Sequence, residues 1–261
     1  MPKETVGDIK INYEVKGHGE PVILITGLGG DTTFWRGMVP LLADKFKVIT
    51  FDNRGSGLTE CPDGHFNNTT LADDVVLLMD HLSIPKAHVL GWSMGGNIAQ
   101  EIALSHPERV ASLTLVSTYM RRPSRSSYMM HVMIDSVRSG GDIKHLFRIM
   151  QSLCMTEEAF YKMEKRGNYA EWIPQMSLEQ FVYQMEAVDG FDSRQWAKNI
   201  KVPTRVIHGR SDIMVPPRMG QELSAEIKGS DFILIDGGGH TMTPKDYVGA
   251  FLEHALRHPI V

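Results

Sequence analysis

The stretch Val89-Leu90-Gly91-Trp92-Ser93-Met94-Gly95-Gly96-Asn97 decides how the rest of the chain is read. It leaves an apolar run, passes through Gly-x-Ser-x-Gly and enters a helical pattern over 96–106. A strand that turns sharply into a helix at a serine lifts the hydroxyl clear of the sheet, and the same turn crowds the backbone. Glycine at 91 and 95 removes the two side chains that would collide there. The amide of Met94 then opens the helix and faces any negative charge that develops beside Ser93, helped by the helix N-terminus. A serine so placed is a candidate nucleophile, provided that a base takes its proton.

Outward from that turn, short apolar runs alternate with helical patterns. Residues 21–25 (PVILI) are a continuous apolar run of the kind that parallel strands show when helices cover both faces, and 48–51 and 112–116 are expected to be further strands. Residues 9–15 alternate and are expected to form an edge strand. Helices are expected over 34–43 and over 71–82, where Leu71, Val75, Leu78 and Leu82 share a face. From 120 to about 196 the alternation stops; the segment reads helical, with breaks at Gly140-Gly141, Gly167 and Pro174, and holds nine of the sixteen methionines. Strands then return at 204–207 and 232–235, with helices at 217–227 and 244–256. The pattern predicts an α/β fold, a doubly wound and mostly parallel sheet with a helical cap insertion. The expected division is a core of residues 1–119 and 197–261 and a cap of residues 120–196 over the carboxyl edge of the sheet.

Composition narrows the class of partner. With 261 residues, 42% hydrophobic, 22% charged and a net charge of -4, the chain reads as an ordinary globular protein. There is no basic run for nucleic acid and no charged anchor for a membrane surface. The first ten residues lack the apolar core of a signal peptide, and no stretch is long enough to span a bilayer. Two cysteines far apart, Cys61 and Cys154, fit the reduced cytoplasm and a structural role, with no metal site expected.

Ser93 needs a histidine, and the histidine needs a carboxylate to fix its tautomer. In open α/β sheets such groups follow the carboxyl ends of strands. Among the eleven histidines, His240 follows the 232–235 strand behind Gly237-Gly238-Gly239, a loop expected to be loose enough to swing the ring over Ser93. His208 ends a strand but lies in the run that reaches the acid, and His106 is expected to cap a helix. Asp212 falls in the loop after the 204–207 strand and is the expected acid. Asp236 is too near its own strand, while Asp52 precedes Ser93 and is expected to brace its loop through Arg54. The order Ser93, Asp212, His240 is the chain order this sheet requires. The two oxyanion donors are expected to be the amides of Met94 and Leu28, the latter in Gly27-Leu28-Gly29-Gly30.

These residues resemble the α/β-hydrolase superfamily over nearly the whole chain. Thr26-Gly27-Leu28-Gly29 resembles its oxyanion loop, with Thr26 where a histidine is usual. LGWSMGG with ALSHPERV is similar to the pimeloyl-ACP methyl ester esterases, whereas ITGLGG with DNRGSG is similar to the enol-lactonase and aminoacrylate-hydrolase branch. The resemblance implies a cofactor-independent serine hydrolase that cleaves a carboxylic ester or thioester through an acyl-enzyme. A lactonase or a C–C bond hydrolase would use the same triad, and a hydrolase-like ligand receptor is a third reading. The expected partner is a small ester or lactone; acyl length, leaving group and homo-oligomer formation stay open. Lastly, the cap methionines are expected to face Ser93 as an apolar acyl pocket, with Arg121, Arg122 and Arg125 at its entrance.

Overall fold

The computed structural model describes residues 3–62, 64–165 and 174–260. Among them, eight strands form one sheet: β1 (Lys3–Val6), β2 (Ile9–Lys16), β3 (Glu20–Ile25), β4 (Phe46–Phe51), β5 (Ala87–Trp92), β6 (Val110–Val116), β7 (Thr204–Gly209) and β8 (Asp231–Ile235). Their spatial order is β1-β2-β4-β3-β5-β6-β7-β8. β1 and β2 are antiparallel additions; every pair from β4 to β8 is parallel.

The apolar runs are continuous because each strand feeds two cores. Val22, Leu24 and Leu90 point to one face, where they meet Trp35, Phe46 and Phe251. Ile23, Ile25 and Val89 point to the other, against Val75, Ile98 and Leu223. Accordingly α1 (Val39–Leu42) and α9 (Pro244–Arg257) cover the first face, while α2 (Asn68–His81), α3 (Met94–Ser105) and α8 (Pro217–Glu226) cover the second. The strand order reverses between β3 and β5, so the loops after these neighbours diverge and leave a crevice at their carboxyl ends.

Between β6 and β7 the chain runs through α4 (Ser124–Arg138), α5 (Ile143–Cys154), α6 (Glu157–Lys165) and α7 (Leu178–Gly190). Phe147 and Phe181, both fully buried, join this segment to the second core. The Gly140-Gly141 break separates α4 from α5; the break expected at Gly167 lies outside the described residues. A polar latch also holds α7 down. Gln184, fully buried, accepts the Gly29 N–H at 2.8 Å and donates to the Arg54 carbonyl at 2.9 Å and Ser56 Oγ at 2.7 Å. None of the described helices is long and apolar enough to cross a membrane.

Two local expectations change. β2 is not the edge, because Gly7-Asp8 turns the chain back and pairs Val6 with Ile9, adding β1 outside it; a two-residue hairpin needs only a short polar strand to close it. The helix expected over 34–43 is split into a 3-10 turn at Thr32–Gly37 and the single α turn of α1. Pro40 lacks the N–H that a continuous helix would use, so the first turn cannot run through it.

Candidate active site

The serine turn is strained as its sequence requires. Ser93 has φ 55° and ψ -118°, a left-handed conformation that a non-glycine residue adopts only under constraint. A Cβ at Gly91 would lie 2.2 Å from the Gly95 carbonyl oxygen, and one at Gly95 would lie 2.2 Å from that of Ile25. The second contact joins the serine turn to the end of β3. There a Cβ at Gly27 would press on the Trp92 ring at 2.7 Å and on Ser93 Cβ at 3.0 Å. The β3 loop and the start of α3 are thereby held face to face across Ser93. The amides of Leu28 and Met94 open these two segments, and among the described residues neither N–H meets a protein acceptor.

β5, β7 and β8 each deliver one polar group to this place. Ser93 Oγ lies 2.9 Å from His240 Nε2, and His240 Nδ1 lies 2.8 Å from Asp212 Oδ2. Nδ1–H donates to the carboxylate, which leaves Nε2 free to accept the serine proton. Asp212 Oδ1 in turn accepts the Met214 and Val215 amides at 2.9 and 2.8 Å. Burial pushes the Asp212 carboxyl up, but the charge of His240 and the hydrogen bonds from His208 and His240 outweigh it and hold it down at about 2.

His240 is not on a loose loop. Gly209 packs so closely that a Cβ there would meet the Gly239 carbonyl oxygen at 2.3 Å. Ser211 N–H donates to the Gly238 carbonyl at 2.8 Å, Thr241 N–H to that of Cys154 at 2.8 Å, and Trp92 Nε1–H to that of His240 at 2.9 Å. Gly238 and Gly239 serve close approach, while Gly237 takes a positive φ of 72° in open space.

The other candidates fall elsewhere. Asp52 does brace its loop, but through the Thr32 and Leu58 amides and Asn12 Nδ2, at 2.7, 2.9 and 2.8 Å. Arg54 pairs instead with Asp74 and Asp8, because its bidentate fork matches Asp74 on α2 at 2.9 and 2.8 Å. Asp236 pairs with Arg210, and His106 is the C-cap of α3. One neighbour was not anticipated: His208 Nε2 donates to the Val215 carbonyl at 2.9 Å and stands 3.3 Å from Asp212 Oδ2. Its spacing of four residues from Asp212 was visible in the sequence, but the turn that folds the two together was not.

Above Ser93 lies a cavity of about 230 Å³. Its walls are mainly apolar, with Leu28, Trp92, Met130, Met150, Met155 and Met214 among them. The expectation that cap methionines face Ser93 therefore holds for Met130, Met150 and Met155; Met133 and Met185 are buried in the packed core instead. Cys154 also lines the cavity, and burial pushes its thiol far up, so it stays protonated and unreactive. Arg121 and Arg125 line a neighbouring groove, whereas Arg122 is buried and lines both spaces. Among the described residues, no group of three or more His, Cys, Asp or Glu side chains is arranged to hold a metal ion.

Comparison with known proteins places this geometry in context. The family model of the alpha/beta hydrolase fold matches residues 20–244. A Caulobacter segnis protein that carries the name of a carbamate hydrolase, RutD, is 30% identical over 249 residues, covering 90% of this chain and 91% of its own. Among solved structures, the enol-lactonase of Burkholderia xenovorans LB400 superposes with a TM-score of 0.83 at 26% identity, covering 97% of this chain and 96% of that one. A thermophilic esterase of Thermogutta terrifontis superposes with a TM-score of 0.85, also at 26% identity, covering 98% and 97%.

Proposed function

The chain belongs to the alpha/beta hydrolase fold family, and from that premise we propose that it is a serine hydrolase that cleaves small carboxylic esters through an acyl-enzyme. The observation that carries this reading is the unbroken relay from Ser93 Oγ through His240 to Asp212, at 2.9 and 2.8 Å, beneath an apolar cavity. His240 Nε2 takes the hydroxyl proton as Ser93 Oγ adds to the substrate carbonyl. The carbonyl oxygen becomes an oxyanion between the Leu28 and Met94 amides. His240 then protonates the departing alkoxide, leaving the acid part esterified to Ser93. Water repeats the sequence, giving its proton to His240 and releasing the free acid and the serine. Asp212 stays ionised throughout and stabilises the imidazolium. The route uses side chains, backbone amides and one water.

The cavity volume restricts the substrate. About 230 Å³ is below the range of roughly 300–1,000 Å³ usual for ligand pockets, so the acyl part is short. A lactone is the second reading, favoured by the likeness to the enol-lactonase; there the ring C–O bond breaks as Ser93 is acylated, and the freed alcohol, protonated by His240, stays tethered to the acyl group until water releases the hydroxy acid. The two cysteines, too few for a disulfide framework, favour a cytoplasmic setting.

A fluorophosphonate probe should label Ser93, and p-nitrophenyl acetate or butyrate should be turned over. In Ser93→Ala, labelling should vanish and kcat should fall by several orders of magnitude, because the triad acts as a unit. A variant that kept more than roughly a hundredth of wild-type kcat would overturn the assignment.

A further inference from the structure

One side of the cavity breaks its apolar character. Tyr119, Arg122 and Ser126 line it, and all three are buried, at 3%, 9% and 4% exposed. Among the described residues, no hydrogen bond joins the Tyr119 or the Ser126 hydroxyl to another protein group. Burial pushes the Tyr119 hydroxyl up to about 12, so it remains a donor. Arg122 is engaged at one nitrogen only: Nη1 donates to Asp189 Oδ1 at 3.1 Å and to Met185 Sδ at 2.9 Å. Among the described residues, the N–H groups on Nε and Nη2 have no protein acceptor.

Such an arrangement leaves donors on the cavity wall for a ligand. A buried guanidinium loses hydration, and a single carboxylate contact does not satisfy its five donors. Asp189 is itself fixed by Ser127 Oγ at 3.0 Å and His131 Nε2 at 2.8 Å, so it anchors the guanidinium without using it up.

The surroundings carry the same sign. A groove behind the Arg122 wall is lined also by Arg121, Arg125, Arg194 and Arg218. Nearby carboxylates answer only part of that charge: Asp189 meets Arg122, Asp192 meets Arg194, and Glu222 stands 3.7 Å from Arg218. The chain as a whole is negative, at -4, so this excess is local. Clefts of one sign raise the local concentration of oppositely charged solutes.

We propose that Arg122, Tyr119 and Ser126 form a carboxylate subsite, and that the substrate is a half-ester of a short dicarboxylic acid. The proposal rests on Ser93 as the nucleophile, because the same cavity holds both ends of the molecule. The ester carbonyl sits at Ser93 while the far carboxylate takes the spare guanidinium N–H groups and the two hydroxyls. A planar fork suits a carboxylate better than a neutral carbonyl, which accepts fewer of these donors.

The test compares monomethyl succinate, glutarate and adipate with methyl butyrate, valerate and hexanoate. Wild-type enzyme should favour one of the half-esters by about tenfold or more in kcat/KM, the scale of a charge-assisted hydrogen bond. Arg122→Met should bring that ratio towards one and Arg122→Lys should restore part of it. Tyr119→Phe and Ser126→Ala, which remove one oxygen each, should lower the ratio several-fold and keep the test decisive if Arg122→Met does not fold. Neutral esters cleaved as well as every half-ester would overturn the proposal. A binding arm separates it from the reading of Ser93: in Ser93→Ala, calorimetry should find succinate, glutarate or adipate bound at least about tenfold tighter than butyrate or hexanoate. Dicarboxylate binding in a wild-type protein that turns over no ester would leave the subsite standing and remove the serine mechanism. Equal binding of both acid classes would remove the subsite, whatever the turnover.

Discussion

Asp212 serves two histidines with one oxygen: Oδ2 faces His240 at 2.8 Å and His208 at 3.3 Å. Its ionised state is therefore secured far below neutrality, and its titration should contribute no limb to the pH profile of kcat/KM above roughly pH 3. Asp212→Asn should lower kcat on the order of 10⁴, the loss expected when the imidazole is held in the wrong tautomer. Asp52→Asn exchanges an acceptor of three hydrogen bonds for one that fits them less well. It should reduce thermal stability while kcat of the folded fraction stays close to wild type. A larger kcat loss at Asp52 than at Asp212 would reverse the two roles. That Ser93, Asp212 and His240 would meet was legible in the sequence because each follows a strand whose apolar run is unmistakable. Arg122 was legible only as a charge near an entrance. Its burial depends on the fold of the insertion, which no local pattern specifies.

The helices between β6 and β7 combine wall and core, and their methionines divide accordingly. Met155 lines the cavity and is half-buried; Met133 is buried in the core. Met155→Ala should widen the acyl pocket and move the preferred chain length upward with little loss of stability. Met133→Ala should cost about 2–5 kcal/mol, as for other large-to-small core changes, and leave chain-length preference as it was. Kinetics on an ester series together with urea unfolding would distinguish the two. The sheet itself was readable almost strand by strand, since burial on both faces imposes an apolar run wherever the strand lies. β1 escaped because an outer strand with solvent on its flank needs no such run. The 34–43 helix failed at Pro40, where hydrophobic spacing and proline chemistry disagree and the missing N–H prevails.

Part of the molecule's response to acid follows from α9. Burial pushes His254 down to about 4, with Arg205 adding to the effect, and the ring is 5% exposed. An unfolded chain takes up a proton there below about pH 6.5, whereas the native state does so only near pH 4. Unfolding therefore binds protons between those values, and stability falls as the pH drops through that window, by at most about 1.4 kcal/mol per pH unit from this group. His88, lowered by burial in the same way, acts in the same direction. His254→Gln should flatten the fall of the urea midpoint between pH 6.5 and 4; an unchanged slope would assign acid sensitivity to other groups. The Gln184 latch has a different reach. It ties α7 to the amide of Gly29, next to the proposed donor at Leu28, so lifting the insertion to admit a substrate would untie the loop proposed to hold the oxyanion. On the proposed mechanism, admission and chemistry would then exclude one another, as in an interlock. Gln184→Met, which cannot make any of the three bonds, should lower kcat more than it raises KM. A variant with kcat intact would show that the loop keeps its shape unaided.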